Sequence, residues 1–305
     1  MNAVLKEQAA PLSATRGYIG GGNAAGILGV SPYKSPLDEY LTITDQAPAN
    51  DESREAFFKR RKALEPFAAE VFEQITGLKI VCRNVRYDDP EHDFIRAEID
   101  FETGDGCNGE TKTVSQFRAK DWGEPGTDEI PVYVTAQAMH GLMLKPEAPA
   151  TWVHALIGLD DDRVYRIERD EKLIETIRAR EVDFWRSHIL PRVEPEPTTD
   201  EDLRRMFLYD FGTSIEADTE LLATINRMRD IKATVKPLEK EFDELKLQAQ
   251  LAMRGAATVV FDGKPIATWK TQSARRFDQT AFAAYNTELF EQFKTTSETR
   301  VFRIK

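Results

Sequence analysis

The sequence predicts an α/β protein with a mixed central sheet flanked by helices, followed by a C-terminal helical and β-hairpin appendage. Three observations carry that reading. From residue 54 to 76 the apolar side chains Leu64, Phe67, Ala68, Val71, Phe72 and Ile75 recur three and four apart, the spacing of a helix with one core-facing stripe. Short apolar or alternating runs at 79–85, 94–101, 109–114 and 152–158 are separated by turn residues and read as strands. Helical patterns at 132–144 and 171–188 bracket the last of these runs, so helices and strands alternate as in a layered sheet.

Taken in order, residues 1–16 read as a leader, and a Gly-rich turn at 20–22 enters the short apolar segment 24–28. A Pro-punctuated loop at 31–36 leads into a short helix near 37–42, and 47–53 is polar and turn-rich. The long helix of 54–76 is stopped by Gly77. These elements and the strands after them make up a first domain, 17–190. The Pro/Glu run PRVEPEP within 191–200 is the linker. In the remaining region, 201–305, apolar residues from Leu221 to Ala249 fall three and four apart, predicting a long helix or helical hairpin broken or kinked near Pro237. Asp262-Gly263 joins two strands, 258–261 and 266–270, as a hairpin, and one final helix spans about 279–293.

A chain of 305 residues with 41% hydrophobic and 30% charged residues is long and apolar enough to fold around a sizeable core. Its opening has no signal-peptide pattern, and no apolar run approaches the roughly 18 residues of a membrane span, which implies a cytoplasmic protein without a membrane partner. Cys82 and Cys107 lack metal spacing and read as free thiols in a reducing compartment. The net charge of −11 opposes nucleic-acid binding only mildly, because a basic groove in an acidic protein sets its own local field.

The residues that carry chemistry begin at Asp100, near the end of a strand. Ten residues on, across a Gly-rich turn at 103–108, Glu110-Thr111-Lys112 lies on the next strand. Residues two apart on a strand share a face, so Glu110 and Lys112 project together and the hairpin brings Asp100 beside them. Two carboxylates at one point suit a hard cation such as Mg2+, with Mn2+ as a substitute and the Thr111 carbonyl as a further ligand. Such a cation stabilises charge on phosphoryl oxygens and makes bound water more acidic, while the Lys112 ammonium positions the attacking water. Taken alone, the same three residues also describe a surface hairpin with an ordinary ion pair. Their neighbours favour chemistry. Glu65 lies beside the helical stripe at the defect made by Pro66. Lys59, Arg60 and Arg61 crowd the same helix and form a candidate phosphate track, and Gln137 shares a helix face with Tyr133 and Gly141, where it could hold the nucleophilic water. His140 and His154 have no partner at metal spacing and read as structural.

This order of motifs resembles the YqaJ-like viral recombinase family: AAGILGVSPYKSP at 24–36, Ala63-Leu64-Glu65-Pro66, Asp100, Glu110-Thr111-Lys112, then Tyr133 to Gln137 with Met139-His140. The resemblance spans about 16–190. It implies a PD-(D/E)XK nuclease core and Mg2+-dependent 5′-to-3′ degradation of one strand of linear duplex DNA. It also implies a homotrimeric ring threaded by DNA and a single-strand annealing protein as partner. By motif, Asp100 and Glu110 become metal ligands, Lys112 the water-positioning lysine, and Glu65 and Gln137 supporting catalytic residues. Arg16 becomes a grip for the 5′ phosphate. Relatives commonly carry Ser, often followed by an acid, where this chain has Gly22-Asn23; that hydroxyl contact is missing, but the backbone amides of Gly20–Gly22 could hold a phosphate, and Gly22 and Asn23 are expected at the DNA. Two other readings share the chain: an endonuclease or structure-specific nuclease with the same catalytic residues, and a non-catalytic DNA-end-binding protein. The intact acid–acid–lysine set opposes the latter.

Overall fold

A computed structural model describes residues 17–47, 52–158, 160–296 and 298–304. The chain divides into two compact units, Met1–Met206 and Phe207–Lys305.

The first unit opens with α1 (Gly21–Ile27) and α2 (Pro36–Ile43). Ser35 caps α2 by accepting from the Asp38 amide at 3.1 Å, while the Asp38 carboxylate accepts from the Ser35 amide at 2.9 Å. Next comes the 25-residue helix α3 (Glu52–Thr76), which runs through Pro66 and ends at Gly77, φ +71°. Strands β1 (Ile80–Asp88), β2 (Arg96–Thr103) and β3 (Asn108–Val114) are antiparallel neighbours. A crossover through α4 (Val132–Leu144) then lays β4 (Ala150–Ile157) parallel to β3, because parallel strands cannot be joined by a tight turn. Strand β5 (Asp161–Glu168) returns antiparallel to β4, and the five strands lie in sequence order. Helix α5 (Glu171–Phe184) follows, capped by Asp170 and prolonged by a wider turn at Trp185–Ile189. The mixed sheet flanked by helices is thus present as the sequence predicts.

The core explains the placement of α4. Val134, Met139 and Leu142 pack against Ile99, Val153 and Tyr165 of the sheet and Ile177 of α5. A second cluster joins Ile19, Leu37 and Tyr40 to Phe184 and Ile189. Elsewhere in the unit Phe72 of α3 meets Phe101 of β2, ring centroids 4.8 Å apart. The stripe expected on α3 is narrower than its periodicity suggests. Ala68, Ala69 and Phe72 are buried, but Phe67 and Ile75 are 47% and 52% exposed. Small alanines provide the close approach, and the larger side chains fall outside it.

Several elements differ from the sequence reading. Strand β5 is absent from it, since DDRVYRIE at a sheet edge carries too little apolar alternation. Helix α6 (Asp200–Met206) belongs to the first unit, so the division falls at Phe207 rather than after a linker ending at 200. Met206 packs on the second cluster, and polar anchors add to it: Ser35 Oγ donates to Asp202 at 2.7 Å and Arg205 pairs with Asp38 at 2.7 Å. In the second unit, α7 (Thr219–Met253) continues unbroken through Pro237. The hairpin of β6 (Thr258–Phe261) and β7 (Lys264–Thr268) turns at Asp262 and Gly263, both with positive φ. The single helix expected at the end is two, α8 (Gln279–Tyr285) and α9 (Thr287–Gln292), because Asn286 leaves the helical region and caps the second. No helix of the described residues is long and apolar enough to cross a membrane.

Candidate active site

Phe101 of β2 stands opposite Gly109 of β3, so Asp100 comes beside Glu110. Gly109 is required there: a Cβ on it would fall 2.0 Å from the Phe101 ring. The lack of a side chain lets the ring lie across β3 immediately before the acidic residue. Asp100 is tied to the next strand by the Thr111 amide, which donates to its Oδ2 at 2.8 Å.

The three functional groups of β3 and α4 close a triangle. Lys112 Nζ donates to Glu110 Oε1 at 2.7 Å and to Gln137 Oε1 at 2.6 Å, and Gln137 Nε2 donates to the same Glu110 oxygen at 2.7 Å. Glu110 is buried. Gln137 thus engages both ends of its amide with protein, which makes it a holder of Lys112 and Glu110 rather than of a water. The crowding of like charges is visible in Asp100. Burial and the Glu110 carboxylate push its pKa well above the carboxylate range, against the opposing Thr111 amide and Lys112.

Glu65 comes to the same place from α3. With Pro66, Ala69, Arg83, Asn84, Asp100, Phe101 and Thr111 it lines a cavity of about 70 Å³. Burial raises its pKa, as do the charges of Glu110 and Glu98, while Lys62 opposes them. Among the described residues no three His, Cys, Asp or Glu side chains are gathered as a ready-made metal cage. The donors available are the carboxylates of Asp100 and Glu110, with Glu65 lining the cavity beside Asp100. That set suits a cation that keeps several of its waters.

Lys112 and Gln137 also line a cleft of about 1060 Å³. Its walls carry Arg60 and Arg61 of α3, and also Lys34 and Arg118, together with the aromatic residues Tyr33, Phe57, Phe58 and Tyr133. Tyr33 and Tyr133 meet edge to face at 5.4 Å. Lys34 and Arg118 have no role in the sequence reading. Arg118 sits in a 3-10 turn at Gln116–Asp121, a segment with no periodic signal, and Lys34 in the Pro loop.

The remaining expected residues divide. Gly22 lines the cleft, and Lys59 is exposed on α3 without lining it. Arg16 lies outside the described residues. Asn23 corrects the expectation of a DNA contact. It is 1% exposed, its Oδ1 accepts from the Gly20 amide at 2.8 Å, and its Nδ2 donates to buried Glu39 at 2.7 Å. The side chain is consumed in capping α1 and satisfying Glu39, so it cannot reach a ligand. His140 and His154 are internal, as expected: His140 pairs with Glu181 at 2.7 Å and His154 with Asp162 at 2.8 Å.

Residues 12–145, which include every residue of the Asp100–Glu110–Lys112–Gln137 group, match the family model of the YqaJ-like viral recombinase domain. Over that segment the chain is similar to the YqaJ-like viral recombinase family. It is also 29% identical over 294 residues to the uncharacterized protein YqaJ of Bacillus subtilis (strain 168), covering 94% of this chain and 91% of that one. Among solved structures it is similar to the alkaline exonuclease LHK-Exo from Laribacter hongkongensis, at 16% identity and a TM-score of 0.45, over 56% of this chain and 87% of that one. A phage related exonuclease from Haemophilus somnus 129PT matches at 14% identity and a TM-score of 0.38, over 55% and 92% of the two chains. The matched segment therefore contains both the carboxylate–lysine group and the basic cleft.

Proposed function

We propose that this chain is a Mg2+-dependent exonuclease that degrades one strand of linear duplex DNA from the 5′ end. The 3′ overhangs left behind would enter phage-type recombination through a single-strand annealing partner. The observation that carries the reading is the junction of two unlike surfaces. Lys112 and Gln137 line a cleft carrying Lys34, Arg60, Arg61 and Arg118, and both bond Glu110, the cross-strand neighbour of Asp100 in an acid-lined cavity. Phosphates bind on such a basic wall and register the duplex, while cation chemistry takes place at its acidic end.

Asp100, Glu110 and the Thr111 carbonyl would hold the cation. Its chemistry when bound is charge stabilisation on the phosphoryl oxygens and acidification of a water. Lys112 orients the attacking water and favours its ionised form. Gln137 fixes Lys112 and Glu110 at hydrogen-bond distance, so the lysine is placed before substrate arrives. Glu65 closes the cavity beside Asp100. The family resemblance further supports a ring of three around DNA, in which inward basic faces reconcile DNA binding with the acidic net charge.

Digestion of linear duplexes with 5′-phosphate, 5′-hydroxyl or blocked ends, beside a closed circular duplex, tests this reading. Mg2+ should support loss of one strand from its 5′ end in linear DNA, EDTA should stop it, and the circle should survive. Cleavage of the circle would place an endonuclease ahead. No cleavage of any DNA with either Mg2+ or Mn2+ would leave an end-binding protein.

A further inference from the structure

The 35-residue helix α7 carries an apolar seam with no buried seam side chain. From Leu221 to Ala252 the positions that alternate three and four apart are apolar with one exception, Thr224. Such a repeat follows one face of a helix and winds it around a second one. Leu238, Phe242 and Leu245 on that face are 58%, 67% and 55% exposed. Pro237 falls outside the seam, so its missing N–H does not interrupt the face that would pair.

We propose that α7 pairs antiparallel with α7 of a second copy of this chain. The choice of occupant and direction rests on the residues beside the seam. With Val235 of one copy opposite Leu238 of the other, Ile231 meets Phe242 and Met228 meets Leu245. Every layer then joins a smaller or more flexible side chain to a larger one. The same register brings Lys232 against Glu239 of the second copy, and symmetry repeats the pair, with no like charges facing each other along that edge. A parallel, in-register pair would instead oppose Arg227 to Lys232 twice, cancelling the gain from Glu241 and Lys246. Charge complementarity of the chain with itself therefore selects the antiparallel arrangement. Its symmetry is twofold, as in a self-complementary patch, so it would join one ring of three to a second ring rather than close the ring itself.

Sedimentation equilibrium of the full chain with charge-swap variants tests both the pairing and its direction. Lys232→Glu and Glu239→Lys should each weaken self-association about fivefold to tenfold, because each puts two like-charged pairs into the dimer, and the double variant should restore it. Val235→Asp with Phe242→Asp should lower the mass at least twofold while the protein stays folded by circular dichroism. Tighter association of Lys232→Glu would overturn the antiparallel register, since that change relieves the parallel clash. Unchanged mass in Val235→Asp/Phe242→Asp would overturn self-pairing and leave the seam to a different protein. Neither outcome bears on the nuclease reading, because none of these residues lies in the first unit.

Discussion

Two ionic clusters hang from α4 within one turn of each other and are built on opposite principles. At Gln137, on the wall of a cleft, Lys112 and Glu110 meet, and Glu110 and its cross-strand neighbour Asp100 repel: Asp100 is pushed far up by burial and by Glu110. At His140 a single acid meets a single base with both side chains fully enclosed, His140 Nδ1 against Glu181 at 2.7 Å and Nε2 against the Arg96 carbonyl at 2.8 Å. Burial opposes charge on His140, yet Glu181 and the Arg96 carbonyl outweigh it and its pKa is raised. The closed cluster is balanced by its own members and joins α4 to β2 and α5. The open one sets two acids against one lysine, so Asp100 tends to hold a proton unless a cation from outside takes its place. A carboxylate pair left in that condition beside a cleft is what a cation-dependent site requires.

The largest effect that separates the two clusters should be on stability. His140→Ala leaves Glu181 buried without its counter-charge and should cost about 3–5 kcal/mol in urea unfolding, with strand degradation per folded molecule unchanged. Loss of degradation at an unchanged unfolding midpoint would erase the distinction. Lys112→Ala should show the reverse, a drop of about a hundredfold or more in degradation rate with little change in midpoint. Retention of more than about a tenth of the rate would make the lysine structural.

Cation binding sharpens the contrast at smaller magnitude. At tenfold excess over its dissociation constant Mg2+ should stabilise the native protein by about 1.4 kcal/mol. Asp100→Asn and Glu110→Gln should each lose most of that gain, and an equal gain in both variants would move the cation elsewhere. Gln137→Ala should slow degradation about tenfold, as expected when the group that orients a site residue is removed. A rate equal to wild type would mean that Lys112 needs no orientation.

The smallest effect is a pH slope. His140 has a raised pKa when folded, so its contribution is complete below about pH 6.5, its unfolded range, and fades as pH rises through the folded value. Unfolding midpoints measured upward from pH 6.5 should fall for this reason, and the slope should flatten in His140→Gln. An equal slope in that variant would assign it to another group.

The same physics decides what was legible in the sequence. Helix α4 was readable to its bounds, because a long apolar stretch between Pro131 and Lys145 has few alternatives. The alignment of Asp100 with Glu110 was readable because a hairpin fixes its own register. Strand β5 was not, since an edge strand needs only backbone pairing on one side and carries charged side chains freely. Arg118 and Lys34 reach the cleft from irregular segments, where no period announces a face. Asn23 misled for a different reason: a polar residue after glycines looks the same in sequence whether it meets a ligand or caps its own helix. Its buried partner Glu39 lies sixteen residues away and gives no local sign.

The Phe101 ring over Gly109 ties the history of the protein to its geometry. One position supplies volume and its cross-strand neighbour supplies the space, while Phe72 of α3 rests on the same ring. Neither position is free to drift alone. A larger residue at 109 demands a smaller one at 101, and a smaller one at 101 opens a gap beneath the helix that carries Glu65. Across descendants of this chain the two sites should change as a pair or not at all, and the strand bearing Glu110 should inherit its alignment from that constraint rather than from the acids themselves.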